Sequence, residues 1–179
     1  MNRAALIMMA YACCAALPAR AGSCEVVSGP GTAALVELYT SEGCSSCPPA
    51  DRELQQLRRR AGADAEVIPL GLHVGYWDQI GWKDVYAQKS FEARQALLVN
   101  RGRSGGFVYT PQFFISGKEL RTWRNALPDV IRTINARPAQ ASVTLKWTEG
   151  PGRTVLLEAG GAGLETNADS ALYVAVSES

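Results

Sequence analysis

The chain has 179 residues, of which 20% are charged and 47% are hydrophobic, and this balance excludes a disordered or low-complexity chain. It carries 18 lysine and arginine residues against 17 aspartate and glutamate residues, so no strong positive field favours nucleic acid or an anionic membrane. Five cysteines and a single histidine are the unusual features of the composition.

Residues 1–21 have the pattern of an export signal. Arg3 supplies a positive start, Ala4–Leu17 is an uncharged apolar run, and Ala19-Arg20-Ala21 fits the small-x-small cleavage pattern. The run is short for a membrane span, and no second long apolar run follows. We therefore expect a periplasmic or secreted mature chain without a membrane span. An uncleaved anchor is the alternative.

Residues 22–32 are small and polar and include Gly29-Pro30-Gly31, which predicts a linker. Cleavage after Ala21 leaves three cysteines, and Cys44 and Cys47 can pair with each other. Cys24 is then free, paired with another chain, or lipidated. Ala21 stands where a lipidation motif usually has leucine, which argues against a lipid anchor at Cys24.

The first half of the mature chain predicts a strand, a helix and a second strand. Ala33–Thr40 is short, apolar and β-prone, as expected of a buried strand. Apolar residues then recur at helical spacing over Ala50–Ala61, and Pro48 suits the first turn of that helix. Ala65–Val74 predicts the next strand, although Pro69 makes it an imperfect one.

The second half begins with an aromatic loop, Gly75–Asp84, in which Asp78 and Asp84 are expected to cap backbone amides. A helix at Phe91–Arg101 is predicted next, followed by a hairpin of Gln112–Ile115 and Lys118–Thr122. The last predicted helix has an apolar face made of Trp123, Leu127, Val130, Ile131 and Ile134. Strands are predicted after it at Ser142–Trp147, Thr154–Glu158 and Ala171–Val176. We therefore expect an α/β domain at residues 33–137. Residues 138–179 would be a small β-rich segment.

The Cys44-Ser45-Ser46-Cys47 motif carries the most specific chemistry in the sequence. It lies between a predicted strand and the first turn of a predicted helix, where unpaired amides and the helix dipole stabilise a thiolate. Cys44 would attack a partner's disulfide, and Cys47, one turn away, would resolve the mixed disulfide. No organic cofactor is needed for this exchange.

Three other interpretations of the two cysteines stay open. They can form a static structural disulfide, which is plausible in an oxidising compartment. A zinc site would need Cys24 as a further ligand beside Cys44, Cys47 and His73. A copper carrier would need only Cys44, Cys47 and His73.

The order of strand, Cys-x-x-Cys, helix, strand, helix, Thr-Pro, hairpin and helix resembles the thioredoxin fold. In that superfamily the threonine–proline bond is cis and the proline lies against the cysteine pair. The resemblance implies these features for Thr110 and Pro111, together with a role in binding an extended substrate peptide. A trans proline entering an edge strand is the structural alternative for Pro111.

Three blocks are similar to the exported, thioredoxin-like proteins of the domain-of-unknown-function 1223 (DUF1223) family: VELYTSEGCSSCPPAD at Val36–Asp51, LHVGYWDQIGWKD at Leu72–Asp84 and VYTPQ at Val108–Gln112. One departure is Gly75, where that family usually has an acidic residue. Members also tend to continue beyond the end of this chain, so the C-terminal β segment is expected to lack neighbours.

Two further sets of residues are candidates for the site. His73, at the end of the second predicted strand, can act as a proton carrier or metal ligand, or can be a hydrogen-bonded strand-end residue. Tyr76, Trp77 and Trp82 can line a substrate groove or fill the core. The resulting hypothesis is an exported thiol–disulfide oxidoreductase acting on protein or peptide thiols. The alternative is a copper-binding protein or a scaffold with a structural disulfide.

Overall fold

A computed structural model describes residues 22–62, 64–102, 106–152, 154–163 and 174 of the chain. These residues form helices and strands in two separate sheets, so the predicted mixed α/β class is confirmed. Among the described helices, none has the length and apolar character needed to cross a membrane. The predicted export signal lies outside the described residues, as does the predicted strand Ala171–Val176 apart from Val174.

The elements follow the predicted order, with one addition near the start. They are β1 (Ser23–Val27), β2 (Ala34–Thr40), α1 (Pro48–Ala61), β3 (Val67–His73), α2 (Lys89–Arg101), β4 (Gln112–Ile115), β5 (Lys118–Glu119), α3 (Trp123–Asn135), β6 (Ser142–Glu149) and β7 (Val155–Ala162). β5 is shorter than predicted, because the chain turns into α3 directly after it.

The larger sheet has the strand order β3-β2-β4-β5. β3 runs parallel to β2, whereas β4 runs antiparallel to both β2 and β5. Within the described strands β3 pairs with β2 alone, and an edge position of this kind tolerates Pro69, which has no amide to donate. β2 lies in the middle of the sheet, and six of its seven residues are buried.

Two apolar clusters cover the two faces of this sheet. Alternate residues of β2, including Val36 and Leu38, pack in one cluster with α1 and α3. Tyr39, which points the other way, packs in the second cluster with Leu98 of α2. Because side chains alternate along a strand, the full burial of β2 requires helices on both faces.

The smaller sheet corrects the linker prediction for residues 22–32. Ser23–Val27 forms β1 and pairs antiparallel with β6, which in turn pairs with β7. The register places Cys24 beside Trp147 and Val26 beside Leu145, so the apolar residues of β1 continue one face of the sheet. The linker that Gly29-Pro30-Gly31 predicts is confirmed only for the connection that follows β1.

Truncation of Leu57 should lower the stability of the larger sheet and the helices packed on it. Leu57 lies on the buried face of α1 and is fully buried. Leu57→Ala should therefore lower the free energy of unfolding by about 3 kcal/mol, because apolar contacts are lost and a cavity remains. Urea unfolding followed by circular dichroism measures this change. Leu97→Ala is the matched control, because Leu97 is 45% exposed on α2. Equal losses for the two variants would contradict the assignment of Leu57 to the core.

Candidate functional site

A disulfide joins Cys44 to Cys47 in the segment that connects β2 to α1. The Cys44 amide donates to the carbonyl of Ser41 at 3.1 Å, just after β2 ends. Cys47 directly precedes α1, and its carbonyl accepts from the Asp51 amide at 3.1 Å. Pro48 occupies the first turn as predicted. The predicted position of both cysteines, between a strand and a helix N-terminus, is therefore confirmed.

The two cysteines differ in access to solvent. Cys44 is 3% exposed, and its Sγ lies 3.5 Å from the hydroxyl of Ser46, whereas Cys47 is 0% exposed. A reagent from solvent therefore reaches Cys44 first. The first two residues of α1 are prolines without an amide hydrogen, and the amides of Ala50 and Asp51 donate to the Cys47 carbonyl, so the dipole of α1 is what favours a thiolate here whenever the disulfide opens.

Trp77 connects the disulfide loop to the segment that leads into β4. A Cβ placed on Gly43, next to Cys44, would stand 3.3 Å from the Cβ of Trp77. The indole Nε1 of Trp77 donates to the hydroxyl of Thr110 at 2.7 Å. The Thr110–Pro111 peptide bond is cis, in agreement with the expectation from the thioredoxin resemblance. Trp77 thus links the disulfide loop to Thr110, and the predicted position of Pro111 against the cysteine pair stays a prediction.

Tyr76 has a different environment from its neighbour in the sequence. Its ring packs against the second apolar cluster, together with Phe91 and the buried residues Leu72 and Leu98. The ring centroids of Tyr76 and Trp77 are 6.2 Å apart. Tyr76 therefore packs on the core side of Trp77, in agreement with the alternative that it fills the core. Its role in substrate binding stays a prediction.

The side chain of Asp84 joins the aromatic loop to the disulfide loop. Its Oδ2 accepts from the Glu42 amide at 2.9 Å and lies 2.7 Å from Nδ1 of His73. Its Oδ1 accepts from the Tyr86 amide at 2.9 Å, and the Asp84 amide itself donates to Asp78 at 3.1 Å. Both aspartates therefore accept backbone amides, as the sequence predicts.

The contacts of Asp84 also fix the orientation of the His73 ring. Burial acts to raise the pKa of Asp84, but the amides of Glu42 and Tyr86 and the His73 ring outweigh it and hold that pKa below its usual range. An ionised carboxylate at this position accepts a hydrogen bond from Nδ1–H of His73, which leaves Nε2 as the acceptor nitrogen of a neutral ring. His73 is thus a hydrogen-bonded strand-end residue, and its role as a proton carrier stays a prediction.

Asp51 is a neighbour of the disulfide that the sequence interpretation missed. It lies in the first turn of α1, and its Oδ1 accepts from the hydroxyl of Thr40 at 2.7 Å. Burial raises the pKa of Asp51, and the hydrogen bond from Thr40 opposes this only in part. The sequence indicated Asp51 only by placing an acidic residue four positions after the second cysteine. An aspartate in the first turn of a helix is usually explained by the helix dipole alone.

The position of Gly75 explains why an acidic residue is unfavourable there in this chain. A Cβ on Gly75 would stand 3.2 Å from Oδ2 of Asp78 and 3.3 Å from Oε1 of Glu92. The Gly75 amide already donates to Glu92 at 3.0 Å. A third carboxylate would meet two others at short range, so the acidic charge next to Gly75 comes from Asp78 in the loop and Glu92 in α2.

Within the part of the chain that the structure describes, no three His, Cys, Asp or Glu side chains group together in a way that could hold a metal ion. Cys24, which the zinc alternative requires, is exposed on β1 in the smaller sheet. The copper alternative with Cys44, Cys47 and His73 stays a hypothesis, and it would require the disulfide to be reduced first.

Comparison with known proteins adds a family and one solved structure. A family model described as "Protein of unknown function (DUF1223)" matches residues 35–179. The crystal structure of protein AGR_C_4864 from Agrobacterium tumefaciens is similar at 27% sequence identity, with a TM-score of 0.51. This similarity covers 66% of the present chain and 58% of that chain, so less than two thirds of the Agrobacterium protein is matched. No curated protein matches the chain.

Replacement of Asp51 should change stability in a pH-dependent way. Because burial raises its folded-state pKa above 3.8, its contribution to stability is complete at lower pH and is lost as the pH rises through the folded-state pKa. Asp51→Asn keeps an acceptor for Thr40 but cannot ionise, so it should be more stable than the parent at about pH 7 and similar to it at about pH 3.

Urea unfolding at these two pH values measures the Asp51 effect. Asp129→Asn is the matched control, since the Asp129 side chain is 75% exposed on α3. The interpretation fails if Asp51→Asn gains no stability over the parent on going from the lower to the higher pH.

Removal of Trp77 should make the disulfide easier to reach. Trp77→Ala removes the indole that spans Gly43 and Thr110, so reduction by dithiothreitol should accelerate by at least about threefold through better access to Cys44. Stopped-flow or quenched thiol labelling gives the rate. Trp147→Ala is the control, because Trp147 lies on β6 in the smaller sheet and not in the loop that carries Trp77. Equal acceleration in both variants would argue against Trp77 as the covering residue.

Proposed function

This chain belongs to the DUF1223 family of proteins of unknown function, and we propose that it is an exported thiol–disulfide oxidoreductase with a thioredoxin-like fold. The observation that carries the proposal is the Cys44–Cys47 disulfide, which lies between the end of the central strand and the N-terminus of α1. Its slightly more exposed cysteine, Cys44, is the one expected to react first. The parallel β2–β3 pair and the antiparallel β4–β5 hairpin support the fold assignment.

The proposed reaction exchanges one disulfide for another. In the reduced protein the Cys44 thiolate attacks one sulfur of a partner disulfide, forms a mixed disulfide and releases the other partner sulfur as a thiolate. The Cys47 thiolate then attacks Cys44 Sγ and releases the second partner thiolate. The partner gains two electrons, the two cysteines lose two, and the released thiolates take up protons from water. The reverse sequence oxidises a partner dithiol.

Several residues support this chemistry from their positions around the disulfide. The start of α1 stabilises the Cys44 thiolate, and Ser46 offers its hydroxyl to the same sulfur at 3.5 Å. Asp51, partly buried one turn after Cys47, would be the nearest candidate along α1 for accepting a proton from Cys47. Thr110 and Pro111 would position the main chain of the partner peptide, with Trp77 moved aside.

The partner is proposed to be a cysteine-containing protein or peptide. The loop between β3 and α2 exposes large apolar side chains close to the disulfide loop: Ile80, Trp82, Val85 and Tyr86. Trp82 and Asp84 tie this loop to Glu42, two residues before Cys44. Exposed apolar side chains grouped around a reactive site favour a partner that offers apolar residues beside its cysteine. Export to the periplasm or exterior would follow from the pattern of residues 1–21.

A structural disulfide is the second candidate function for the pair, because both cysteines are almost fully buried. A protected disulfide in a small exported domain would stabilise the segment before α1 without entering exchange. The protein would then act by binding a partner rather than by redox chemistry.

The redox equilibrium of Cys44 and Cys47 separates these two functions. We expect a reversible couple between about −120 and about −270 mV, the span of known exchange catalysts, in a glutathione titration with mass-spectrometric thiol trapping. The metal-free mature protein should carry Cys24→Ser, so that every trapped thiol belongs to Cys44 or Cys47. A couple below about −300 mV would indicate a structural disulfide and overturn the proposal.

The order of attack is tested by trapping. Cys47→Ala should accumulate a mixed disulfide with an added cysteine-containing peptide disulfide, because the resolving thiol is absent. Cys44→Ala is the matched control and should trap far less, since Cys47 is fully buried. Equal trapping by the two variants, resolved on non-reducing gels and by mass spectrometry, would contradict the assigned roles.

A further inference from the structure

A cleft of about 880 Å³ lies between the C-terminal end of α2 and the β4–β5 hairpin. Its position in the fold separates it from the disulfide. β2 runs toward the cysteines, whereas the hairpin turn at Ser116 bonds to the carbonyl of Leu35, near the start of β2. The cleft therefore lies at the opposite end of the larger sheet. Its volume is within the range of pockets that hold small molecules.

The inner wall of the cleft is apolar and belongs to the protein core. Leu98, Val99 and Phe114 line it, and each of them is also part of the second apolar cluster. Leu120 adds a partly buried side chain from the segment after β5. A rigid apolar wall of this kind suits an aliphatic chain or an aromatic ring better than a fully hydrated ligand.

The outer rim of the cleft is basic. Arg101, Lys118 and Arg121 line it, and Glu119 is the single acidic residue among the described lining residues. The Glu119 carboxylate already accepts from Tyr109 at 2.7 Å and lies 3.2 Å from Arg121. Among the described residues, no carboxylate lies within ion-pair distance of Arg101 or Lys118, so the rim keeps an excess of positive charge.

Among the described residues, Gly106 and Gly117 border the apolar wall of the cleft. A Cβ on Gly106 would stand 3.5 Å from Cγ1 of Val99, and one on Gly117 would stand 4.0 Å from Cδ2 of Leu98. Side chains at these positions would therefore lie over the apolar wall. Gly117 also has a φ of +80°, which the hairpin turn requires and which most other residues avoid.

From this arrangement we propose that the cleft binds an amphipathic monoanion, such as an aliphatic carboxylate. The hydrocarbon part packs on Leu98, Val99 and Phe114, and the carboxylate faces Arg101 and Lys118. The apolar wall is complementary to the hydrocarbon part of such a ligand, and the positive rim is complementary to its carboxylate. The same positive rim disfavours an amphipathic cation. This binding site uses none of the residues around the disulfide and goes beyond the proposed exchange activity.

Three probes of equal chain length test the proposal: octanoate, 1-octanol and octylammonium. Isothermal titration of the full chain should give the tightest binding for octanoate, weaker binding for the alcohol and the weakest for the cation. Arg101→Gln combined with Lys118→Gln should weaken octanoate binding by about tenfold and leave 1-octanol almost unchanged, because each partly exposed charge pair contributes about a factor of three. Arg58→Gln combined with Arg59→Gln on the exposed side of α1 is the matched control and should change neither.

Amide chemical shifts locate the bound octanoate. We expect the changes at Leu98, Phe114 and Gly117, at the cleft. Changes confined to β6 and β7, which also expose apolar side chains, would overturn the proposal. Octanol binding as tight as octanoate binding, or an unaltered octanoate affinity in the Arg101 and Lys118 double variant, would overturn it as well.

Discussion

Burial of β2 on both faces is the constraint on which the rest of the structure depends. Six of its seven residues are buried, with α1 and α3 over one face and α2 over the other. A strand enclosed in this way cannot slip in register without moving apolar side chains into the wrong layer. The end of β2, and with it the start of the disulfide loop, is therefore held in place by the packing of the whole domain.

The same constraint creates a buried charge that needs a partner. Glu37 on β2 is fully buried on the α2 side, where Arg94 of α2 binds both carboxylate oxygens and Tyr39 donates its hydroxyl. Burial and the neighbouring Glu37 raise the pKa of Tyr39, so its hydroxyl stays a donor. An unpaired carboxylate here would be strongly unfavourable, so the ion pair ties the position of α2 to β2.

The sequence predicted what depends on local pattern and missed what depends on distant contacts. The apolar runs of β2 and β4 and the cysteine spacing before Pro48 are local, and the corresponding elements formed as expected. The linker prediction is wrong at β1, because the strand that pairs with it, β6, lies more than a hundred residues away. Asp51 was missed for a related reason, since only the packing of α1 on β2 brings its carboxylate to Thr40. Spacing along a helix cannot reveal such a contact.

The burial of the two cysteines has opposite consequences for the two functions considered for them. It protects a structural disulfide, but in the proposed exchange it would also favour attack at Cys44, the less buried of the two. The loop that carries Trp77 is held to the disulfide loop at Glu42, whose amide donates to the Asp84 carboxylate and whose own carboxylate accepts from Trp82 Nε1. Hydrogen bonds of this kind can open locally. In the proposed exchange, this loop would control the access of a partner to the disulfide.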